Sequence, residues 1–242
     1  MNCVRCGAAL RPEEGLICPD CGARHVRVCN HCGRAAEQEK EACPVCGGET
    51  AAALDMTRAE MTAAGLKCFM PYVKDHNFDI YLGGNLDGGG YVFHNLPGYT
   101  APPAERVVLP GSVEGHPIFG IWNEFFVVGE EFAPNLQQAA YARMMPIHEI
   151  VVSPGIREAF TYAFFGCAGL ELLELPKSLI SMKNDFYDLF IDGREPMGNG
   201  LVKTPLTIRY HGTEEDWARV GVTSRFQEYV RMGCIRMEFL GG

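Results

Sequence analysis

The residues with the clearest chemical meaning in this sequence are eight cysteines, all of which lie within the first fifty positions. They form four Cys-x-x-Cys pairs, and a glycine follows each pair. The cysteines are Cys3, Cys6, Cys18, Cys21, Cys29, Cys32, Cys43 and Cys46. Two thiolates in a tight turn converge on one metal ion, and the glycine permits the positive φ that such a turn needs. The spacing therefore predicts two sites of four thiolates each, with the cysteines as the metal ligands.

The gaps between the pairs indicate how the sites are assembled. Eleven residues separate the first two pairs and ten separate the last two, which suits a short β-hairpin that brings one pair over the other. Four thiolates complete a tetrahedral shell with no open position, so we expect two structural zinc ions. Iron in a rubredoxin-like redox carrier is the alternative on geometry, and its red colour would distinguish it. His25 and His31 lie beside the pairs and are interpreted as bystanders.

The composition changes abruptly after this segment. The first fifty residues contain no aromatic residue, whereas all 14 Phe, 9 Tyr and 2 Trp residues occur from Phe69 onward. Ordering the backbone costs about 1–2 kcal/mol per residue, which so few large apolar side chains cannot offset. Metal binding must therefore stabilise the first part, and we expect it to fold independently of the second.

Three domains follow from this change: residues 1–50, a linker helix over 51–67, and a large domain over 68–242. The linker is rich in Ala and Met, and Thr57 with Glu60 forms the pattern of a capping box.

The large domain contains a recurring phrase of β-formers, a proline and a small residue. It occurs at residues 107–112, 150–155 and 172–178. Pro154 and Pro176 are 22 positions apart, and Pro110 and Pro154 are 44 apart, which is twice that spacing. A period in the low twenties is typical of a leucine-rich solenoid, in which each coil buries its apolar residues only against its neighbours. The proline then lies where the strand leaves the sheet.

Residues 1 to about 50 resemble the double zinc ribbon family in their eight cysteines. Residues 155–170 resemble the "AF-x-GC-x-x-L" unit of BspA-like leucine-rich repeats of bacterial proteins, and residues 172–179 resemble the strand-and-proline unit that follows it. Residues 91–121 are similar to an opening coil of that family, and residues 206–217 to its closing segment.

These resemblances imply an α+β multidomain fold, with small β-hairpin zinc ribbons joined to a short leucine-rich repeat β-solenoid. Residues 122–147 and 188–205 interrupt the repeat and are expected to be insertions. The resemblances also imply an interaction or scaffolding role.

No constellation of catalytic residues is recognisable, so we expect a protein that is not an enzyme. The glycine-rich stretch 83–90 lacks the lysine of a phosphate-binding loop. Ser153 and Ser178 are interpreted as turn hydroxyls. Cys68, Cys167 and Cys234 are interpreted as buried small hydrophobic residues.

Charge restricts the partners. The chain carries Lys+Arg 21 against Asp+Glu 30, a net charge of −9, which opposes nucleic acid binding. A nucleic-acid-associated regulator therefore remains only the alternative to a protein-binding adaptor. No apolar run is long enough to cross a membrane, and the first residues contain no apolar stretch that could serve as a secretory signal, so we expect the chain in the cytoplasm, where cysteines stay reduced. The expected partner is another protein, and five aromatic residues are candidates for its binding surface: Trp122, Phe125, Phe126, Tyr141 and Tyr162.

Overall fold

The computed structural model describes residues 1–11, 15–37, 40–64, 66, 69–71, 91–93, 105–121, 147–159, 163–164, 167, 169–183 and 205–241. The glycine-rich stretch 83–90, Cys68 and the five aromatic candidates for a partner surface lie outside these residues. Most of the two expected insertions lies outside them too.

Within the described residues the chain is a mixed α/β structure, rich in strands, with few helices and two sheets. The strands are β1 (Arg24–Cys29), β2 (Ala35–Ala36), β3 (Thr50–Met56), β4 (Phe69–Pro71), β5 (Tyr91–Phe93), β6 (Arg106–Leu109), β7 (Ser112–Val113), β8 (His116–Ile121), β9 (Glu149–Val152), β10 (Glu158–Ala159), β11 (Leu172–Leu175), β12 (Ser181–Met182), β13 (Leu206–Tyr210), β14 (Gly221–Val222) and β15 (Ile235–Phe239). The helices are α1 (Arg58–Ala63), α2 (Glu214–Trp217) and α3 (Ser224–Arg231).

The smaller sheet consists of five parallel strands, and its order β6-β9-β11-β13-β15 is also their order along the chain. One row of residues runs straight across it, from Arg106 through Glu149, Leu172 and Thr207 to Arg236. Parallel neighbours require a connection that returns to the same end of the sheet each time.

That return passes through the larger, ten-stranded sheet. In it β8, β10, β12 and β14 are parallel neighbours and again follow chain order. From β6 to β15 the chain therefore alternates between the two sheets. After β8, successive strands belong alternately to the five-stranded and the ten-stranded sheet.

The core lies between the two sheets. Ile150, Leu173 and Ile208 form one fully buried row on the inner face of the five-stranded sheet. Cys167 and Cys234 are also fully buried, as expected of small hydrophobic residues. The three prolines lie at strand exits, as expected. Pro110 directly follows β6, Pro176 directly follows β11, and Pro154 lies one residue beyond the end of β9. At such positions the missing N–H removes no ladder hydrogen bond.

The segment 51–67, predicted as a linker helix, is a strand in its first part. Residues 50–56 form β3, and helix is confined to α1. β3 pairs antiparallel with β1 and, at Asp55 and Met56, parallel with β7, so two sheet neighbours override the helix propensity of its alanines. The capping box is confirmed. The Thr57 N–H donates to Glu60 Oε2 at 2.7 Å, and the Glu60 N–H donates to Thr57 Oγ1 at 3.1 Å.

Candidate metal centres

Each cysteine pair lies in a tight turn that a glycine closes. Gly7, Gly22, Gly33 and Gly47 have φ values of 81°, 68°, 72° and 70°. The N–H of each glycine donates to the carbonyl of the first cysteine of its pair, at 2.8–2.9 Å. The left-handed conformation costs a residue with a side chain roughly 1–2 kcal/mol, which explains the glycine. The predicted turn is thus present four times.

The turns bring the eight sulfurs into two groups of four, paired as the spacing predicts. Within each group all four sulfurs lie within 4.8 Å of one another. One separation between sulfurs of different turns is 3.7 Å for Cys3–Cys21, and three others are 3.5 Å for Cys6–Cys18, 3.5 Å for Cys29–Cys46 and 3.6 Å for Cys32–Cys43. Four sulfurs at about 2.3 Å from a tetrahedral ion are about 3.8 Å apart, whereas a disulfide needs about 2.05 Å. Both groups therefore fit a tetrahedral ion and do not fit disulfides.

The electrostatic environment prepares one thiol in each group for metal binding. Burial favours the neutral thiol of Cys18, but N–H groups of Cys21 and Asp20 point at its sulfur and lower its pKa to about 7. The same balance lowers the pKa of Cys43 to about 7. By contrast, burial raises the pKa of Cys3 and Cys32 to about 12. A metal ion must therefore displace protons from the other thiols when it binds.

The histidines beside the pairs do not take part. Among the described residues both sulfur groups contain cysteines only. His25 is buried, and its Nδ1 lies 3.1 Å from the Ala23 carbonyl oxygen. Burial lowers the pKa of His25, so the ring is neutral. This agrees with the interpretation of His25 as a bystander.

Gly48 is a required residue that the sequence analysis missed. A Cβ at this position would lie 2.8 Å from Cβ of His31 and 3.2 Å from the sulfur of Cys29. The backbone of Gly48 therefore passes close to the second site, and a side chain would push a ligand aside. The doubled glycine after Cys46 was the available signal.

The second site contacts the five-stranded sheet region directly. A Cβ on Gly33 would lie 3.0 Å from Cδ of Arg157, so this side chain packs against the turn that carries Cys32. The side chain of Val28 in β1 lies similarly close to Gly155, since a Cβ on Gly155 would lie 3.1 Å from Cγ2 of Val28. Cys32, which directly precedes Gly33, is partly buried, whereas Cys46 is exposed.

β3 connects the cysteine-rich part to both sheets. The Leu54 N–H donates to the buried Ser153 Oγ at 2.9 Å, and the Gly111 N–H donates to the Leu54 carbonyl at 3.0 Å. Ser153 is thus not the turn hydroxyl that the sequence predicts, since it bonds a residue 99 positions away. Ser178 departs from that expectation in the same way, since its Oγ donates to the Ile156 carbonyl at 2.8 Å and accepts from the Gly155 N–H at 3.0 Å, residues that lie 22 and 23 positions away. One hydrophobic cluster extends from Cys3 to Ile235.

A groove of about 820 Å³ lies between the first cysteine turn and the face of the five-stranded sheet. Residues 1–7 and the start of β3 form one wall, and β9, β11 and His211 form the other. The sheet face beside it carries alternating charges: Arg209 lies 3.5 Å from Glu174 and 2.7 Å from Glu238. A hydrogen bond from His211 holds the pKa of Glu174 below its ordinary value.

Comparison with known proteins identifies no relative: no family model, curated protein or solved structure matches this chain. The proposed resemblances therefore stay predictions that rest on the residues themselves. In the part of the chain that the structure describes, no helix is long and apolar enough to span a membrane.

Proposed function

We propose that this chain is a non-enzymatic adaptor or scaffold in which two structural zinc ions hold a recognition module against a repeat domain. The observation that supports this most directly is the pair of four-sulfur groups. A closed shell of four thiolates leaves no coordination position for a substrate, so such an ion stabilises structure and does not catalyse. Cys3, Cys6, Cys18 and Cys21 would hold one ion, and Cys29, Cys32, Cys43 and Cys46 the other.

Zinc is the metal we propose, because it is the usual ion in closed sites of four cysteines and these turns match its ribbon-like ligand spacing. Iron fits the same sulfur geometry. Elemental analysis and an absorption spectrum of the purified chain separate the two. Two equivalents of zinc and no visible absorption support the proposal, whereas a red protein that contains iron contradicts it. The reduced thiols would be maintained in the cytoplasm.

We further propose that residues 68–242 form a short solenoid of BspA-like leucine-rich repeats. In its favour, the five strands of the smaller sheet, and β8, β10, β12 and β14 of the larger one, are parallel and follow chain order, and prolines lie at three strand exits. In a solenoid each coil contacts only its neighbours and together the coils offer a rigid surface, which suits protein recognition.

The groove beside the first cysteine turn is the proposed site for a segment of the partner protein. Its volume is within the usual range for ligand sites, and it combines apolar walls with several charged side chains. Arg5 lines the groove on its cysteine-rich side as a half-buried cation, and the described residues contain no salt bridge to it. We therefore expect Arg5 to contact the partner.

Affinity purification with mass spectrometry tests this role. The full chain, its Arg5→Glu variant and a Lys40→Glu control are used as baits. Lys40 lies on the second cysteine module, where the one ion pair that it forms among the described residues is with the exposed Glu37, so its reversal changes net charge equally at a distant site. A protein recovered by the wild type and the control, but not by Arg5→Glu, supports the adaptor. Equal recovery by all three contradicts the groove, and measurable turnover without a protein partner contradicts the adaptor itself.

The nucleic-acid alternative is tested by gel shift at low salt. An affinity that falls steeply with salt would favour it, since phosphate contacts release counterions. If neither DNA nor RNA is shifted at low salt, the nucleic-acid alternative is contradicted and the protein-binding role is favoured.

A further inference from the structure

The end strand β15 has one edge without a neighbouring strand among the described residues. Within the part of the chain that the structure describes, its one strand partner is β13, to which it is parallel. The Leu206 N–H donates to the Cys234 carbonyl, and the Leu240 N–H donates to the Tyr210 carbonyl. In a parallel ladder alternate residues face the same neighbour. Even-numbered residues of β15 therefore bond β13, and the N–H and C=O groups of Ile235, Met237 and Phe239 point to the open edge.

The side chains of β15 divide by the same alternation. Ile235, Met237 and Phe239 continue the inner, apolar face of the sheet, opposite Leu206, Ile208 and Tyr210. Arg236 and Glu238 lie on the outer face, where Arg236 is exposed and Glu238 pairs with Arg209. No ion pair of the described residues involves Arg236.

Exposed apolar side chains flank the strand at both ends. Met232, just before β15, is 41% exposed, and Leu240, just after it, is 50% exposed. An edge strand with unpaired backbone groups and apolar residues beside it is a template for pairing with another chain.

We propose that β15 is a dimerisation strand, which pairs antiparallel with β15 of a second copy about a two-fold axis at Met237. Met237 then faces Met237 of the second copy, and Ile235 faces Phe239. These are the residues whose backbone groups point outward, so each such pair exchanges two hydrogen bonds. The two five-stranded sheets become one continuous sheet, and the interface is self-complementary, as two-fold symmetry requires.

Charge selects this register over its neighbours. With Met237 on the axis, Arg236 faces Glu238 of the second copy, twice by symmetry. These are non-hydrogen-bonded pairs, in which facing side chains are closest. A shift of the axis to Arg236 places two arginines opposite each other, and a shift to Glu238 places two glutamates opposite each other. Like charges directly across two strands are destabilising. Only the proposed register joins opposite charges and retains the hydrogen bonds.

The proposed pairing also covers the flanking apolar residues. Leu240, directly after β15, comes to lie beside the start of β15 of the second copy, which the exposed Met232 precedes. The inner faces of the two β15 strands join, so the apolar rows of the two cores meet at the axis. A second copy is thus the occupant that the backbone, the charges and the apolar residues favour together.

Sedimentation analysis of the full chain at increasing concentration tests the proposal. We expect the mass to rise from one chain to two. Arg236→Glu places like charges at both cross-strand pairs and should weaken the dimer about tenfold or more. Glu238→Arg should do the same. Mixing the two variants restores opposite charges at both positions, so the mixture should dimerise although neither variant does alone. Lys40→Glu, with the same charge change on a remote module, should behave as the wild type.

A backbone test distinguishes this edge from other surfaces. Met237→Pro removes an outward N–H without a loss of a bond to β13, and proline is tolerated on edge strands. It should abolish dimerisation, whereas Met237→Leu should retain it. By hydrogen exchange, the amides of Met237 and Phe239 should gain protection with concentration, and those of Arg236 and Glu238 should be protected throughout. A chain that stays monomeric up to millimolar concentration overturns the proposal. So does a dimer that Arg236→Glu and Met237→Pro leave intact.

Discussion

Removal of the metal ions tests how far the cysteine-rich part stabilises the rest of the chain. Every aromatic residue lies at position 69 or later, so near-UV circular dichroism reports on the sheet region alone. The sequence by itself predicts that chelation unfolds residues 1–50 and leaves this signal unchanged. The structure leads to a different expectation, because β3 belongs to both parts.

The size of the effect follows from the residues that β3 buries. Structural zinc sites of this class contribute roughly 10–16 kcal/mol each, so chelation is sufficient to unfold β1 and remove a neighbour of β3. Leu54 and Met56, only 1% and 2% exposed, share one cluster with Val107 and Leu109. Exposure of such a side chain costs about 1.5–3 kcal/mol, or about 3–6 kcal/mol for both. At about 2–4 °C per kcal/mol, the melting temperature should fall by at least about 6 °C.

The assay is a thermal melt followed in the near-UV, before and after chelation and again after zinc is restored. Cys3→Ser and Cys29→Ser remove one ligand from each site in turn. Cys29→Ser should have the larger effect, since Gly33 and Val28 of its module contact Arg157 and Gly155. A near-UV melting temperature that chelation leaves unchanged, while the far-UV signal drops, would refute the reasoning. The two parts would then be independent.

Three further predictions concern single side chains. Gly111→Ala places a Cβ 2.1 Å from the Pro154 carbonyl oxygen and should destabilise by about 3 kcal/mol, whereas Gly221→Ala, whose nearest atom is 3.7 Å away, should be nearly neutral in urea unfolding. Burial raises the pKa of Glu158, so the wild type should lose stability as the pH rises above about 4.5 through the pKa of the folded state. The Glu158→Gln variant should lack this loss and should be about 1 kcal/mol more stable than the wild type at pH 8. Thr213→Ala removes the capping box of α2 and should lower stability by about 1 kcal/mol by thermal melting, with Thr213→Ser as the tolerated control.

The cysteine sites were predictable because their information is local. Each turn spans a few residues, and the glycine that closes it follows directly in sequence, as at Gly7 and Gly33. Two turns separated by about ten residues have few ways to meet. The spacing therefore specified which four cysteines assemble, before any statement about the rest of the fold.

The contacts between the two parts were not predictable for the opposite reason. Ser153 meets Leu54 only because β3 and β9 come together from distant positions, and neither residue type indicates this. β3 itself is composed largely of good helix formers, and its strand conformation depends on β1 and β7. Strands of two residues, such as β10 and β12, are too short to show alternation.

The arrangement gives a physical reason for a metal module at this place in the chain. A stack of parallel strands leaves the backbone groups of its first strands without partners, and a covering segment must supply both hydrogen bonds and apolar contact. β3 supplies both, through its pairing with β7 and the burial of Leu54. β3 is in turn held by β1, in a segment with too few large apolar side chains to fold alone. In the proposed zinc-bound state the ions fix β1, β1 fixes β3, and β3 covers the start of the stack, so the proposed recognition surface depends on the metal sites.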